Sequence, residues 1–156
     1  MEPKNKVIVI TGGSGGIGSS MARAFLREGA EAVVISDLDS APVKACADTL
    51  GCDWRVCDVT DESQVQGLVD YVISKYGRVD VYCSNAGAAG SGSGVLTDAS
   101  NEIWQRQWDL HVMAHIYASR ALLPSMIDRG EGYFLITSSA AGLLAATGSG
   151  PYTVTK

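Results

Sequence analysis

The sequence predicts a doubly wound α/β fold. Short β-branched runs alternate with stretches of helical periodicity, glycines close most of the helical stretches, and the connections are short. Val7-Ile8-Val9-Ile10 is an unbroken apolar run, the pattern of a strand buried on both faces of a parallel sheet, and it ends at the turn Thr11-Gly12-Gly13-Ser14-Gly15-Gly16-Ile17-Gly18. Ile17, Met21, Ala24 and Phe25 give a helix to Glu28, stopped by Gly29. Residues 32–36 (Ala-Val-Val-Ile-Ser) form a second strand, Ser40 to Leu50 a second helix ended by Gly51, and Trp54-Arg55-Val56 a third strand. Val65, Leu68, Val69, Val72 and Ile73 set the apolar stripe of a helix from Asp61 to Tyr76, closed by Gly77.

A fourth strand covers residues 79–83, and the glycine- and serine-rich stretch from Gly87 to Gly94 is expected to be a mobile loop. A long helix is expected from Ser100 to Asp128, with Pro124 kinking it or ending its regular part. Residues 133–137 make the fifth strand. Five strands alternating with helices require right-handed crossovers and a parallel sheet.

Composition excludes several functions. The 156 residues are 46% hydrophobic and 19% charged, as expected for one globular domain covering the whole chain. Seventeen acidic against twelve scattered basic residues, net charge −5, argue against nucleic acid as a partner. The N-terminus has no signal-peptide core and no run has membrane-spanning length, so no membrane partner and a cytoplasmic location are expected. Cys46, Cys52, Cys57 and Cys83 lack paired spacing and read as reduced core thiols. His111 and His115 have the spacing of a two-histidine zinc site, but no third ligand accompanies them, so no metal is expected.

The glycine turn follows a buried strand and opens a helix. Free N–H groups and the positive helix end can therefore meet a pyrophosphate. Nineteen residues past Gly18, Asp37 ends the second strand, where a carboxylate can accept hydrogen bonds from both adenosine-ribose hydroxyls. A 2′-phosphate would meet that negative charge with no cation from Ser14, Gly15 or Leu38, so NAD fits better than NADP. Asp58, closing the third strand, can face the adenine.

These motifs resemble the short-chain dehydrogenase/reductase family, of its NAD-type soluble subgroup. The resemblance spans the chain and rests on Thr11 to Gly18, Asp37, the Asp58-Val59 pair, Asn85-Ala86-Gly87, Ser139, and Tyr152 with Lys156. It implies a Rossmann-like fold, a dinucleotide held by Thr11, Gly12, Ser14, Gly15, Gly16, Ile17, Gly18, Asp37, Leu38, Asp58, Val59, Asn85, Ala86, Gly87, Tyr152 and Lys156, and a secondary alcohol or ketone as substrate. In the family's mechanism Tyr152 is the general acid/base, Ser139 steadies the substrate oxygen, and Lys156 also hydrogen-bonds the nicotinamide ribose. A free tyrosine has a pKa near 10, so use as a base near neutrality needs about 4 kcal/mol of phenolate stabilisation, toward which a lysine ammonium one helical turn away contributes. In isolation Tyr152 would read as a surface tyrosine after Pro151, and Ser139 as a strand-end cap; their thirteen-residue spacing, as in the family, reverses that.

Two departures stand out. The family's relay asparagine in the long helix is matched here by His111, which is expected either to take over that role and make turnover pH-sensitive below neutrality, or to be a helix-packing histidine with no catalytic part. The family also continues past the lysine. The chain is therefore expected to be C-terminally truncated relative to it, with a last helical turn too short to stand alone and an exposed apolar edge on the fifth strand. Two functions stay open: an NAD-dependent alcohol dehydrogenase or ketone reductase, or a non-catalytic nucleotide-binding or interaction module of the same lineage. Leu143, Leu144, Ala145 and Ala146 suit an apolar substrate, and a homo-oligomer is expected from the family's habit of pairing its long helices.

Overall fold

The computed structural model describes residues 2–89, 98–144 and 148–156. Five strands, β1 (Val7–Thr11), β2 (Ala32–Asp37), β3 (Asp53–Val56), β4 (Val81–Ser84) and β5 (Tyr133–Ile136), form one parallel sheet in the order β3-β2-β1-β4-β5. Register is continuous through the centre: Val9 lies opposite Val34 on one side and Tyr82 on the other. Helices α1 (Gly16–Arg27), α2 (Ser40–Leu50), α3 (Glu62–Tyr76), α4 (Asn101–Trp108), α5 (Ala114–Arg129) and α6 (Gly150–Thr155) complete the chain.

Strand alternation divides the core in two. Val7, Val9 and Val34 face the layer of α3 and α5, where they meet Val65, Leu68, Val69, Val72, Ala118 and Leu122. Ile8, Ile10, Val33 and Ile35 face α1 and α2, where they meet Ala22, Val43 and Ala47. This two-sided burial is why β1 and β2 read as continuous apolar runs rather than alternating ones. At the base of the sheet the buried Asp80 carboxylate accepts the Val7 N–H at 2.9 Å and the Arg78 Nε–H at 2.9 Å. The strand itself begins at Val81, two residues later than the sequence suggests.

Local chemistry fixes the helix ends. Asp61 caps α3 by accepting the N–H groups of Ser63 and Gln64, and Gly77 closes that helix at φ 80°. Such a cap contributes about 1 kcal/mol. The long helix expected from Ser100 is interrupted earlier than Pro124: a π-helical turn over Asp109–Met113 separates α4 from α5, and α5 runs through Pro124 to Arg129. Wider turns of this type insert one residue into the helical ladder and are frequent at functional sites. His111 sits in this one.

All four cysteines are free thiols, Cys57 and Cys83 buried, and burial pushes both up to about 12. Leu135, Tyr133 and Ile136 on β5 are 36%, 50% and 52% exposed, as expected for an uncovered edge. No described helix is long and apolar enough to cross a membrane. Residues 90–94 of the expected mobile loop, and Ala145 and Ala146, lie outside the described residues.

Candidate active site

The sheet reverses its winding between β1 and β4, and there the strands' C-terminal ends open onto a cavity of about 730 Å³. Ligands bind at such a switch point because the flanking loops diverge. Three strand ends are stitched together at its floor. Thr11 Oγ accepts the N–H groups of Asn85 (3.0 Å) and Ala86 (3.1 Å), while Asn85 Nδ2 donates to the Thr11 carbonyl (2.9 Å) and its Oδ1 accepts the Thr137 hydroxyl (2.9 Å). Thr11 and Asn85 thus hold β1, β4 and the end of β5 in register beneath the site.

The glycine turn is shaped by close approach. A Cβ at Gly18 would lie 2.2 Å from the Gly12 carbonyl oxygen, and one at Gly12, where φ is +63°, would lie 2.9 Å from the Ala86 Cα. At Gly16 a Cβ would meet nothing within 4 Å. Gly15, the helix N-cap, offers no side chain, so the first-turn N–H groups of α1 have no side-chain cap and face the cavity beside Gly12, Ser14 and Ile17. Uncapped first-turn donors plus the helix dipole suit a pyrophosphate. The residues present therefore fit a dinucleotide.

Asp37, at the end of β2, lines the same cavity, but its carboxylate already has partners. Oδ2 accepts both the N–H (3.0 Å) and the hydroxyl (2.5 Å) of Ser14, and Oδ1 accepts the Leu38 N–H (2.9 Å). The serine within the glycine turn and the aspartate one strand away thus hold each other, a pairing invisible in the sequence. Asp58 lines the wall with Cys57, Val59 and Thr60 and accepts the N–H and hydroxyl of Thr60.

On the opposite wall lie Asn85, Ala86, Gly87, Ser139, Tyr152 and Lys156. Ser139 caps a 3₁₀ turn (Ala140–Gly142) by accepting the Ala141 N–H at 3.2 Å, which leaves its own proton available to donate. Lys156 Nζ donates to the Thr137 carbonyl at 2.8 Å, and burial pulls its pKa down. The Ser138 hydroxyl donates to the Lys156 carbonyl at 3.0 Å. These contacts, with Thr155 packed against His111, anchor a helix of six residues that would not persist alone.

His111 is 2% exposed, its Nδ1 2.9 Å from Thr155 Oγ and its Nε2 accepting the Ala88 N–H at 3.3 Å. Its ring stands edge-on to Tyr152, centroids 5.3 Å apart at 83°. Burial, with smaller effects from Lys156 and His115, pushes its pKa down to about 4. This direction runs against the change of charge near neutral pH that the sequence suggests, because burying an imidazolium carries a desolvation cost. His115 turns elsewhere, its Nδ1 2.6 Å from Ser84 Oγ, so the two imidazoles take separate partners. Sequence reasoning passed over Thr155, Ala88, Thr137 and Arg106, the last of which lines the same cavity from α4. Thr155, next to the lysine and one turn after Pro151, was the one with a local signal.

A family model described as short chain dehydrogenase matches residues 6–156. The chain is 34% identical to the (21S)-21-acetoxyl-apo-melianone synthase SDR of Melia azedarach, over 98% of this chain and 57% of that protein. It is 33% identical to dehydrogenase/reductase SDR family member 4 of Oryctolagus cuniculus, over 97% and 60% respectively. Among solved structures, a short chain dehydrogenase/reductase from Burkholderia phymatum in complex with NAD superposes with a TM-score of 0.92 at 30% identity, covering 99% of this chain and 56% of the other. NAD+-bound xylitol dehydrogenase superposes at 0.90 with 27% identity, covering 100% and 61%. The chain thus spans somewhat under two thirds of the length of these relatives. With the parallel sheet, the dinucleotide cradle and the family match in agreement, the chain belongs to the short-chain dehydrogenase family of oxidoreductases.

Proposed function

We propose that the site moves a hydride between NAD(H) and a secondary alcohol or ketone, with Tyr152 as general acid/base. The observation that carries this is the shared cavity: Tyr152, Lys156 and Ser139 line the same space as the uncapped start of α1 and Asp37. A nicotinamide dinucleotide held along Gly15–Gly18, Asp37 and Asn85–Gly87 supplies the hydride chemistry. Ser139 donates its free hydroxyl proton to the substrate oxygen. The Tyr152 phenol takes or returns the hydroxyl proton, and the Lys156 ammonium, fixed by Thr137, stabilises the negative charge that develops on the phenol oxygen.

NAD over NADP is supported by Asp37. Its charge faces the cavity, the adjoining Ser14 and Leu38 carry no cation, and a 2′-phosphate would be repelled. The NAD complexes among the solved relatives support the same cofactor. Relatives named as borneol dehydrogenase and (-)-isopiperitenol/(-)-carveol dehydrogenase, with the exposed Leu143 and Leu144, support an apolar alcohol. Exposed Ile116, Leu123 and Ile127 along α5 support a homo-oligomer, and a cytoplasmic location completes the proposal.

NADH binding by fluorescence and secondary-alcohol oxidation followed at 340 nm, on the 156-residue chain and on any longer form of it, test the reading. Binding with turnover in either supports it; binding without turnover in both would leave a nucleotide-binding module instead.

A further inference from the structure

His111 has one edge on the loop after β4 and the other on α6. The Ala88 N–H points at Nε2, so that nitrogen carries the lone pair, and the proton of the neutral ring belongs on Nδ1. Nδ1–H then donates to Thr155 Oγ (2.9 Å), whose own proton goes to the Pro151 carbonyl (2.8 Å). Both ring nitrogens are thereby used. A Cβ built on Gly87 would lie 3.2 Å from His111 Nε2 and 3.1 Å from Lys156 Nζ, so loop, imidazole and ammonium converge on one point. Two titratable groups, Tyr152 of α6 and Lys156 just after it, face the ring; His115 acts on it from α5, and Asn85 to Ala89 bring no titratable side chain.

We propose that His111 is a positioning residue rather than a proton carrier: a single-tautomer imidazole spanning from the Ala88 N–H to the Thr155 hydroxyl, fixing the cofactor-side loop against the turn that bears Tyr152 and Lys156. The inference rests on the dehydrogenase reading for its catalytic consequence and on hydrogen-bond geometry alone for the clamp. The span also explains the residue type. An asparagine amide occupies roughly the place of Nδ1 and can reach Thr155 but not Ala88. A glutamine amide reaches the place of Nε2 and can accept from Ala88 but not serve Thr155.

The two halves of the clamp therefore separate by substitution. His111→Asn should raise the NADH dissociation constant about 3- to 10-fold, the range for one lost hydrogen bond, with a smaller change in kcat. His111→Gln should do the reverse, and adding Thr155→Val to it should change kcat little further, since that bond is already gone. In the unmodified chain, long-range ¹H–¹⁵N NMR of labelled histidines should show His111 only as the Nδ1–H tautomer down to pH 5. An Nε2–H or mixed tautomer, or Asn and Gln variants that alter binding and kcat in the same proportion, would overturn the proposal. Absence of NADH binding would overturn the dehydrogenase reading instead, and the tautomer alone would then decide the clamp.

Discussion

Gly18 and Gly16 lie two residues apart in one turn, yet alanine should act on them in opposite directions. At Gly18 the new methyl would sit 2.2 Å from the Gly12 carbonyl oxygen and 2.8 Å from the Gly13 Cα, both backbone atoms that cannot rotate away. The turn must open, and overpacking of this kind costs about 1–3 kcal/mol. At Gly16 the methyl meets nothing within 4 Å, the residue is already helical, and the loss of unfolded-state freedom should stabilise the free protein by about 0.4–1 kcal/mol. That methyl nevertheless projects beside the first-turn N–H groups and should weaken NADH binding. Urea denaturation gives the stabilities, and a thermal scan should show shifts of about 2–4 °C per kcal/mol for a chain of this size. Fluorescence titration gives the affinities. A Gly18→Ala protein as stable as the parent, or a Gly16→Ala protein that binds NADH as tightly, would refute the cradle geometry.

Tyr152→Phe should lower alcohol oxidation by about 10²–10⁴-fold while leaving NADH binding within about twofold, read by steady-state kinetics and fluorescence. Asp37→Ala should shift preference from NAD toward NADP and release Ser14 and Leu38, so thermal stabilisation by each cofactor should converge. The buried His111 gives a pH signature in stability. Its pKa is below the unfolded value near 6.5, so the unfolded state binds the extra proton between pH 6.5 and 4 and stability falls as pH drops through that window. The loss approaches roughly 3 kcal/mol. Urea midpoints measured against pH should show this slope reduced in His111→Asn; an unchanged slope would assign it to other groups.

Much of the fold was legible because its causes are local. Val7 to Ile10 reads as a strand buried on both faces, and two core layers do flank it. Gly51 and Gly77 end helices in the left-handed region, where glycine has no Cβ penalty. The dinucleotide cradle was legible for the same reason, since strand, glycine turn and helix are contiguous. The π-helical turn at Asp109–Met113 was not, because nothing in Trp108-Asp109-Leu110-His111 distinguishes it from a regular helix, and Pro124 drew the expectation of irregularity to the wrong place.

The sequence by itself determined the parallel α/β alternation and the glycine cradle, because residue type and spacing along one segment decide those features; Ser139, Tyr152 and Lys156 were singled out by the family resemblance. Tertiary structure alone decided that Ser14 holds Asp37, that Thr137 anchors Lys156, and that His111 joins Ala88 to Thr155. Each of these pairs lies 19 to 44 residues apart in the chain, or 23 in the loop contact of His111, and meets only when the sheet brings distant strand ends to one edge. The same burial pushes the His111 pKa down, since an imidazolium there would be removed from water without a counter-charge.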